Sequence, residues 1–173
     1  FIRGGAYDKP FITRLFGQTS IGGYMEAVWK LNRTEGVTEE ITFEARRFNL
    51  FLHSAFSDRL RVFTELEFEH GSEEIELEVA SLDFEIHHAL IFRGGIILSP
   101  LGKFNLTHDS PLNELTDRPL VSTQIIPTAL SEAGMGFYGT LYPSDASRLT
   151  YEVYGVNGFN DGILTGEGTR IRE

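Results

Sequence analysis

The chain has 173 residues, a length typical of one domain, and residues 1–173 are taken as a single unit. Its formal net charge of -10 argues against a nucleic-acid partner, because neutralising phosphates requires clustered lysine and arginine. Cysteine is absent, which excludes disulfides, zinc-thiolate sites and cysteine nucleophiles. The longest apolar stretches, such as 89–98, are interrupted by Arg93 and fall short of the roughly 20 residues of a membrane-spanning helix. An α-helical membrane protein is therefore excluded.

Apolar and polar residues alternate along nearly the whole chain, and no window of a dozen residues keeps a helical spacing. A period of two is typical of β-strands. The predicted fold class is therefore all-β, with antiparallel strands joined by turns. Strands are predicted near residues 11–17, 21–32, 40–56, 60–70, 73–87, 89–99, 131–142 and 148–158.

Folding the chain at Gly71-Ser72 places similar side chains opposite each other on neighbouring strands. On one face this predicts the apolar pairs Phe68–Ile75, Leu66–Leu77 and Thr64–Val79, and on the other the pairs Glu69–Glu74, Glu67–Glu76 and Glu65–Glu78. After Val79 the alternation changes phase, so a β-bulge with one extra residue is predicted near Ala80-Ser81. With that bulge, Asp83 lies between Arg61 and Arg93 of the two adjacent strands.

Strand length and the distribution of side chains favour a membrane barrel over a soluble sandwich. Predicted strands of 11 to 17 residues exceed the usual five or six. Each central strand carries an apolar row with aromatics near its ends, and short turns on one side contrast with longer loops on the other. The residues predicted to face lipid are Leu50, Leu52, Val62, Leu66, Leu77 and Val79. A soluble β-sandwich or barrel acting as a binding module, and a plugged structural outer-membrane barrel, remain the alternatives.

A long connection at 100–130 is predicted to be ordered and to fold inward or across the mouth of the barrel. Its segment 100–127 contains nine large apolar residues, too much apolar surface to leave in water, and four prolines that lower the entropy of the free chain. It is the candidate constriction loop. The residues predicted to line the pore or its constriction are Arg61, Glu65, Glu67, Glu76, Glu78, Asp83, Arg93, Lys103, His108, Asp109, Asp117 and Arg118.

Residues 93–139 resemble the phosphate-selective porin O/P type family of bacterial outer-membrane porins. The resemblance is carried by a strand with Gly94-Gly95, the turn PLGKF at 100–104, loop motifs DSP at 109–111 and DRP at 117–119, and a glycine-rich strand at 134–139. It implies a trimeric barrel of about 16 to 18 strands with loops folded into the lumen, embedded in the outer membrane among lipid and lipopolysaccharide.

The seven or eight strands predicted here would form about half of such a barrel, and the absence of an apolar closing strand near Glu173 is expected of a fragment. The function expected is passive diffusion of small hydrophilic solutes or ions. Basic residues make that family selective for anions, whereas the glutamate-rich inner face predicted here favours cations.

No enzyme activity and no cofactor are predicted, because no nucleophile, base and orienting acid occur as a set. Gly134, Gly136 and Gly139 match a GxGxxG pattern, but they lie in a predicted strand and not between a strand and a helix, as a dinucleotide site requires. No metal site is predicted, since His87 and His88 point to opposite faces of a strand. Weak calcium binding by the facing glutamates is the one alternative that the pattern leaves open.

Overall fold

The computed structural model describes residues 12–16, 18–125 and 129–159. These residues form one curled antiparallel sheet of eight strands, each paired with the next along the chain. The predicted all-β antiparallel fold is confirmed. No helix among the described residues is long and apolar enough to cross a membrane.

The strands lie within a few residues of their predicted positions. Their bounds are β1 Ile12–Phe16, β2 Thr19–Thr34, β3 Val37–Ala55, β4 Leu60–Glu69, β5 Glu74–His87, β6 Leu90–Leu98, β7 Ser131–Ser144 and β8 Ser147–Val156. Two short helices, α1 Gly102–Leu106 and α2 Leu120–Gln124, lie between β6 and β7. Single turns of 3-10 helix span His70–Ser72 and Ser110–Leu112.

Tight turns set the register of the hairpins. Between β2 and β3, Glu35 and Gly36 both have positive φ, 52° and 86°, as a two-residue hairpin turn requires. Between β3 and β4, the Ser57 hydroxyl accepts hydrogen bonds from the backbone N–H groups of Arg59 and Leu60. A serine that bonds the backbone two and three residues ahead stabilises a turn at this point.

The sheet has two chemically different faces, and the long loop (residues 99–130) covers one of them. We call the face that this loop covers the inner face and the opposite one the outer face. Outer-face side chains are apolar and exposed: Met25 is 72% exposed, Phe43 84% and Ile75 63%. Ionisable side chains are buried on the inner face, where Glu65 is 0% exposed and Arg93 2%. This distribution is the reverse of that in a water-soluble domain, which buries apolar side chains and exposes charges.

Most predicted cross-strand pairs are confirmed, but the predicted position of the bulge is wrong. Phe68 pairs with Ile75, Leu66 with Leu77, and Asp83 with both Arg61 and Arg93. The register shift lies between Glu65 and Leu66, so the extra residue is Glu78 and not one near Ala80-Ser81. The predicted pairs Thr64–Val79 and Glu65–Glu78 are therefore replaced by Thr64–Ala80 and Glu65–Val79.

This bulge also changes the environment of Val79. Glu78 and Val79, consecutive in sequence, are 1% and 0% exposed. Val79 packs with Leu98, Ala129 and the half-buried Phe63 in a small core. It therefore does not lie on the outer face, and its predicted lipid contact was wrong.

The glycine-rich pattern at 134–139 lies inside β7, as expected from the sequence. Gly139 pairs with Tyr151, and a Cβ at Gly136 would overlap the carbonyl oxygen of Val153 on β8. These glycines allow two strands to approach closely.

Candidate functional site at the inner face

One side chain holds the two ends of the long loop together. Asn105 of α1 is 2% exposed, and its Nδ2 donates to the carbonyl oxygens of Ser99, at 2.8 Å, and Leu130, at 2.9 Å. Its Oδ1 accepts from the backbone N–H of Leu130 at 2.8 Å. The amide thus satisfies three backbone groups where β6 ends and β7 begins, and fixes the direction in which the loop leaves the sheet.

His108 joins the long loop to β5. Its ring is fully buried, with Nδ1 2.8 Å from the carbonyl oxygen of Asn105 and Nε2 3.3 Å from Oε2 of Glu78. Since a carbonyl oxygen can only accept, Nδ1 carries a proton and donates. The contact with Glu78 then requires one further proton, on the imidazole or on the carboxyl group.

Four carboxyl groups, those of Glu65, Glu67, Glu78 and Asp109, form a buried cluster that we call the carboxylate cluster. All four are at most 4% exposed. Glu67 and Glu78 repel each other electrostatically when both are ionised. Burying carboxyl groups is costly unless partners compensate for the lost water.

Arg47 supplies much of that compensation at one end of the carboxylate cluster. Its guanidinium lies 3.0 Å from Glu67, 3.1 Å from Glu26 and 3.3 Å from Glu69. Arg118 of the long loop acts electrostatically on the same Glu67 and Glu69. These arginines therefore offset the negative charge of Glu67 and Glu69, which lowers the repulsion expected from their register.

The long loop also contacts β2 and β3. The hydroxyl of Ser110 donates to Glu26 at 2.5 Å, and its backbone N–H donates to the Tyr24 hydroxyl at 3.3 Å. Arg46 pairs with Glu26 at 3.0 Å and lies 3.6 Å from Asp117 of the loop. A single loop thus touches β2, β3 and β5, which places it across the inner face.

A second polar cluster lies further along the inner face, away from these loop contacts. Arg93 binds Asp83 through two hydrogen bonds of 2.6 and 2.7 Å, and Tyr138 donates to the same carboxylate at 2.7 Å. The guanidinium also lies 4.5 Å from the centre of the Tyr138 ring. Arg61 pairs with Glu85 at 2.9 Å. Asp83 thus lies between two arginines in register, as predicted, and it binds Arg93, whereas Arg61 binds Glu85.

The predicted pore-lining residues all lie on the inner face or in the long loop, with very different exposure. The exposed or partly exposed ones are Arg61, Glu76, Lys103, Asp117 and Arg118, while the buried ones are Glu65, Glu67, Glu78, Asp83, Arg93, His108 and Asp109. In this conformation the seven buried residues connect the loop to the strands and do not border open solvent. Their role in a pore stays a prediction.

A pocket of about 360 Å³ opens within the long loop itself. It is lined by Lys103, Phe104 and Asp117, among others. Its lining combines apolar and charged groups, the composition of a small-molecule contact surface.

The sequence did not indicate a role for Asn105, Asn49 or Tyr138, although each of them contacts a predicted pore-lining residue. Tyr138 could have been found, because it follows Phe137 in a strand whose register was predicted and therefore points to the inner face. The partner of Asn105, Leu130, lies 25 residues away across the loop, and no local pattern indicates that contact.

Comparison with known proteins gives one relative and no assigned activity. The chain is 34% identical over 146 residues to an uncharacterized protein of Aquifex aeolicus (strain VF5). The match covers 80% of this chain but only 32% of the relative, so the chain spans about a third of that protein. No family model and no solved structure matches the chain.

Proposed function

We propose that the chain forms about half of the wall of a bacterial outer-membrane β-barrel that lets small hydrophilic solutes or ions diffuse passively. The observation that carries this proposal is the reversed distribution of side chains, with an exposed apolar outer face and a charged inner face. A barrel in a membrane needs lipid-compatible side chains outside and tolerates polar ones inside. Each described strand pairs with its neighbour in sequence, which is the order of an up-and-down barrel.

Membership in the phosphate-selective porin O/P type family, a trimeric assembly and a full barrel of 16 to 18 strands belong to the same proposal. They rest on the motif at 93–139 and on the length of the strands. A soluble β-sandwich gains no support, since all strands that the structure describes belong to one sheet.

Conductance of the full-length protein in a planar lipid bilayer tests this function. We expect discrete single-channel steps and, in a potassium chloride gradient, a reversal potential of the sign that indicates cation preference. The charge of -10 and the carboxyl groups of the inner face support this sign. An absence of conductance would contradict the channel, and anion preference would contradict the selectivity alone.

The buried contacts of the long loop favour a second candidate, a plugged barrel with a structural role. His108 and Asp109 are 0% exposed, so the loop is seated against the wall in this conformation. A plugged barrel would insert into membranes and resist denaturation but give no conductance until the loop is removed.

A further inference from the structure

Two carboxylates and one imidazole meet at the centre of the inner face. One ligand atom each from Glu65, His108 and Asp109 lies within 4.8 Å of the other two, and all three side chains are 0% exposed. They come from two parts of the fold, because Glu65 lies on β4 and the other two lie in the long loop. Ligands about 2.1 Å from a tetrahedral ion are about 3.4 Å apart, so a contraction of less than about 1.5 Å would complete a coordination sphere.

The orientation of His108 is that of a metal ligand. Its Nδ1 donates to the backbone oxygen of Asn105, which fixes the tautomer and directs Nε2 toward the carboxylates. Protein histidines that bind metals are commonly held by such a hydrogen bond through the other ring nitrogen. Glu78, whose Oε2 is 3.3 Å from Nε2, can serve as a further ligand or as the base that accepts the displaced proton.

Asn49 provides an independent observation. This side chain is 0% exposed, and its Nδ2 donates to Oε1 of Glu65 at 3.1 Å. Its Oδ1 is buried and has no hydrogen-bond partner among the described residues. A buried amide oxygen is costly to leave without a partner, and it is a suitable ligand for a cation held by Glu65.

We propose that Glu65, His108 and Asp109 bind a divalent first-row transition metal ion, with Asn49 and Glu78 as neighbouring donors, and that this ion fixes the long loop to the barrel wall. The imidazole favours zinc over calcium and magnesium, which prefer oxygen ligands alone. The site is independent of whether the barrel conducts, because it requires only the folded chain.

Zinc titration of the full-length protein tests the proposal. Among the described residues one other set, that of Glu69, His70 and Glu74, has ligand atoms within 4.8 Å of one another, and it is partly exposed. The experiment therefore uses the His70→Gln variant, in which this second set has lost its imidazole. Isothermal titration of that variant with Zn²⁺ should give one site per chain, and Ca²⁺ should bind at least tenfold more weakly.

Adding His108→Gln to that variant should weaken zinc binding by about 100-fold or more, since even neighbouring partners of a ligand contribute 10-fold to 100-fold. Glu65→Gln keeps the side-chain shape and should weaken binding as well. His53→Gln, on the same face but outside the set, should leave the affinity unchanged. Unchanged affinity after the His108 substitution, or no zinc binding by the His70→Gln protein, would overturn the proposal.

A measurement without substitution in the cluster guards against misfolding of these variants. In ¹⁵N-labelled His70→Gln protein, the ring nitrogen resonances of His108 should move when one equivalent of Zn²⁺ is added. If only the resonances of other histidines move, the proposed ligand set is wrong.

Discussion

At the scale of single residues, the long loop is held mainly by polar contacts. Its large apolar side chains were expected to drive its ordering, yet Leu115, Leu120 and Ile125 are 78%, 78% and 74% exposed. The described residues do not bury these side chains, so apolar contacts among them do not account for the order of the loop. Asn105 and His108 instead satisfy backbone and carboxyl groups that would otherwise be buried without partners. Such contacts stabilise the loop because a buried donor or acceptor that is left without a partner costs free energy.

Replacing Asn105 by alanine should therefore open the loop without unfolding the sheet. Three hydrogen bonds to backbone groups are lost, at about 1 kcal/mol or more each where the partner stays buried. The opening free energy of the loop should fall by about 2 to 4 kcal/mol. Hydrogen exchange measured by mass spectrometry should show amides at 102–124 exchanging about 30-fold faster or more, with little change in β3 and β4.

Asn113→Ala is the matched control, because it removes the same group from the same loop. The Oδ1 of Asn113 has no hydrogen-bond partner among the described residues. Its removal should alter exchange much less than the Asn105 substitution does. Equal effects of the two substitutions would mean that Asn105 does not hold the loop.

At the scale of elements, the strands and most of their register follow from the sequence for physical reasons. Alternation fixes which residues share a face, and a one-residue slip would invert every side chain, so the pairs Leu50–Leu66 and Phe84–Phe92 could be predicted. The bulge could be detected from the change of phase but not located. Ala80 and Ser81 are small and fit either face, whereas the structure inserts Glu78, whose carboxyl group contacts His108.

The site could be predicted less well than the strands. The contact of Asp83 with Arg93 could be predicted, because the strand register places the two residues opposite each other on adjacent strands. The meeting of Glu65 with His108 and Asp109 depends on how a 32-residue loop folds back, and no period in the sequence encodes that path.

A substitution on the outer face of β4 tests whether this face contacts lipid or water. Leu66 pairs with Leu50 and Leu77 on the neighbouring central strands. If this position lies near the bilayer midplane, Leu66→Arg should lower the free energy of unfolding in lipid vesicles by about 2 to 4 kcal/mol. Denaturant titration followed by tryptophan fluorescence would measure it, since the chain has one tryptophan, Trp29.

Phe56→Arg is the control for the effect of depth in the bilayer. Phe56 follows the last residue of β3 and is 65% exposed, so an arginine there should cost no more than about 1 kcal/mol. Similar small costs at both positions would contradict a lipid-facing β4. They would instead favour an outer face in contact with water.

At the scale of the whole molecule, the outer face and the long loop leave apolar surface that the described residues do not cover. Trp29 and Phe43 on the outer face are 56% and 84% exposed. Lipid would cover these two. Leu115 and Leu120 lie in the loop that covers the inner face, so lipid outside the sheet does not account for them. In the proposed barrel, further strands would cover them.

The position of the long loop leads to a prediction about conductance if the chain forms the proposed channel. Contacts from Ser110 to Glu26 and from His108 to Glu78 place the loop over the inner face, where it occupies space that solutes would cross. Replacing residues 104–122 by a short glycine-serine linker should raise single-channel conductance several-fold in planar bilayers. The hairpin tip at 33–38 is exposed throughout, so replacing it by Asn-Gly should leave the conductance unchanged. Unchanged conductance in the loop deletion would place the loop outside the conduction path. A protein that is silent before the deletion and conducts after it would identify the loop as a plug.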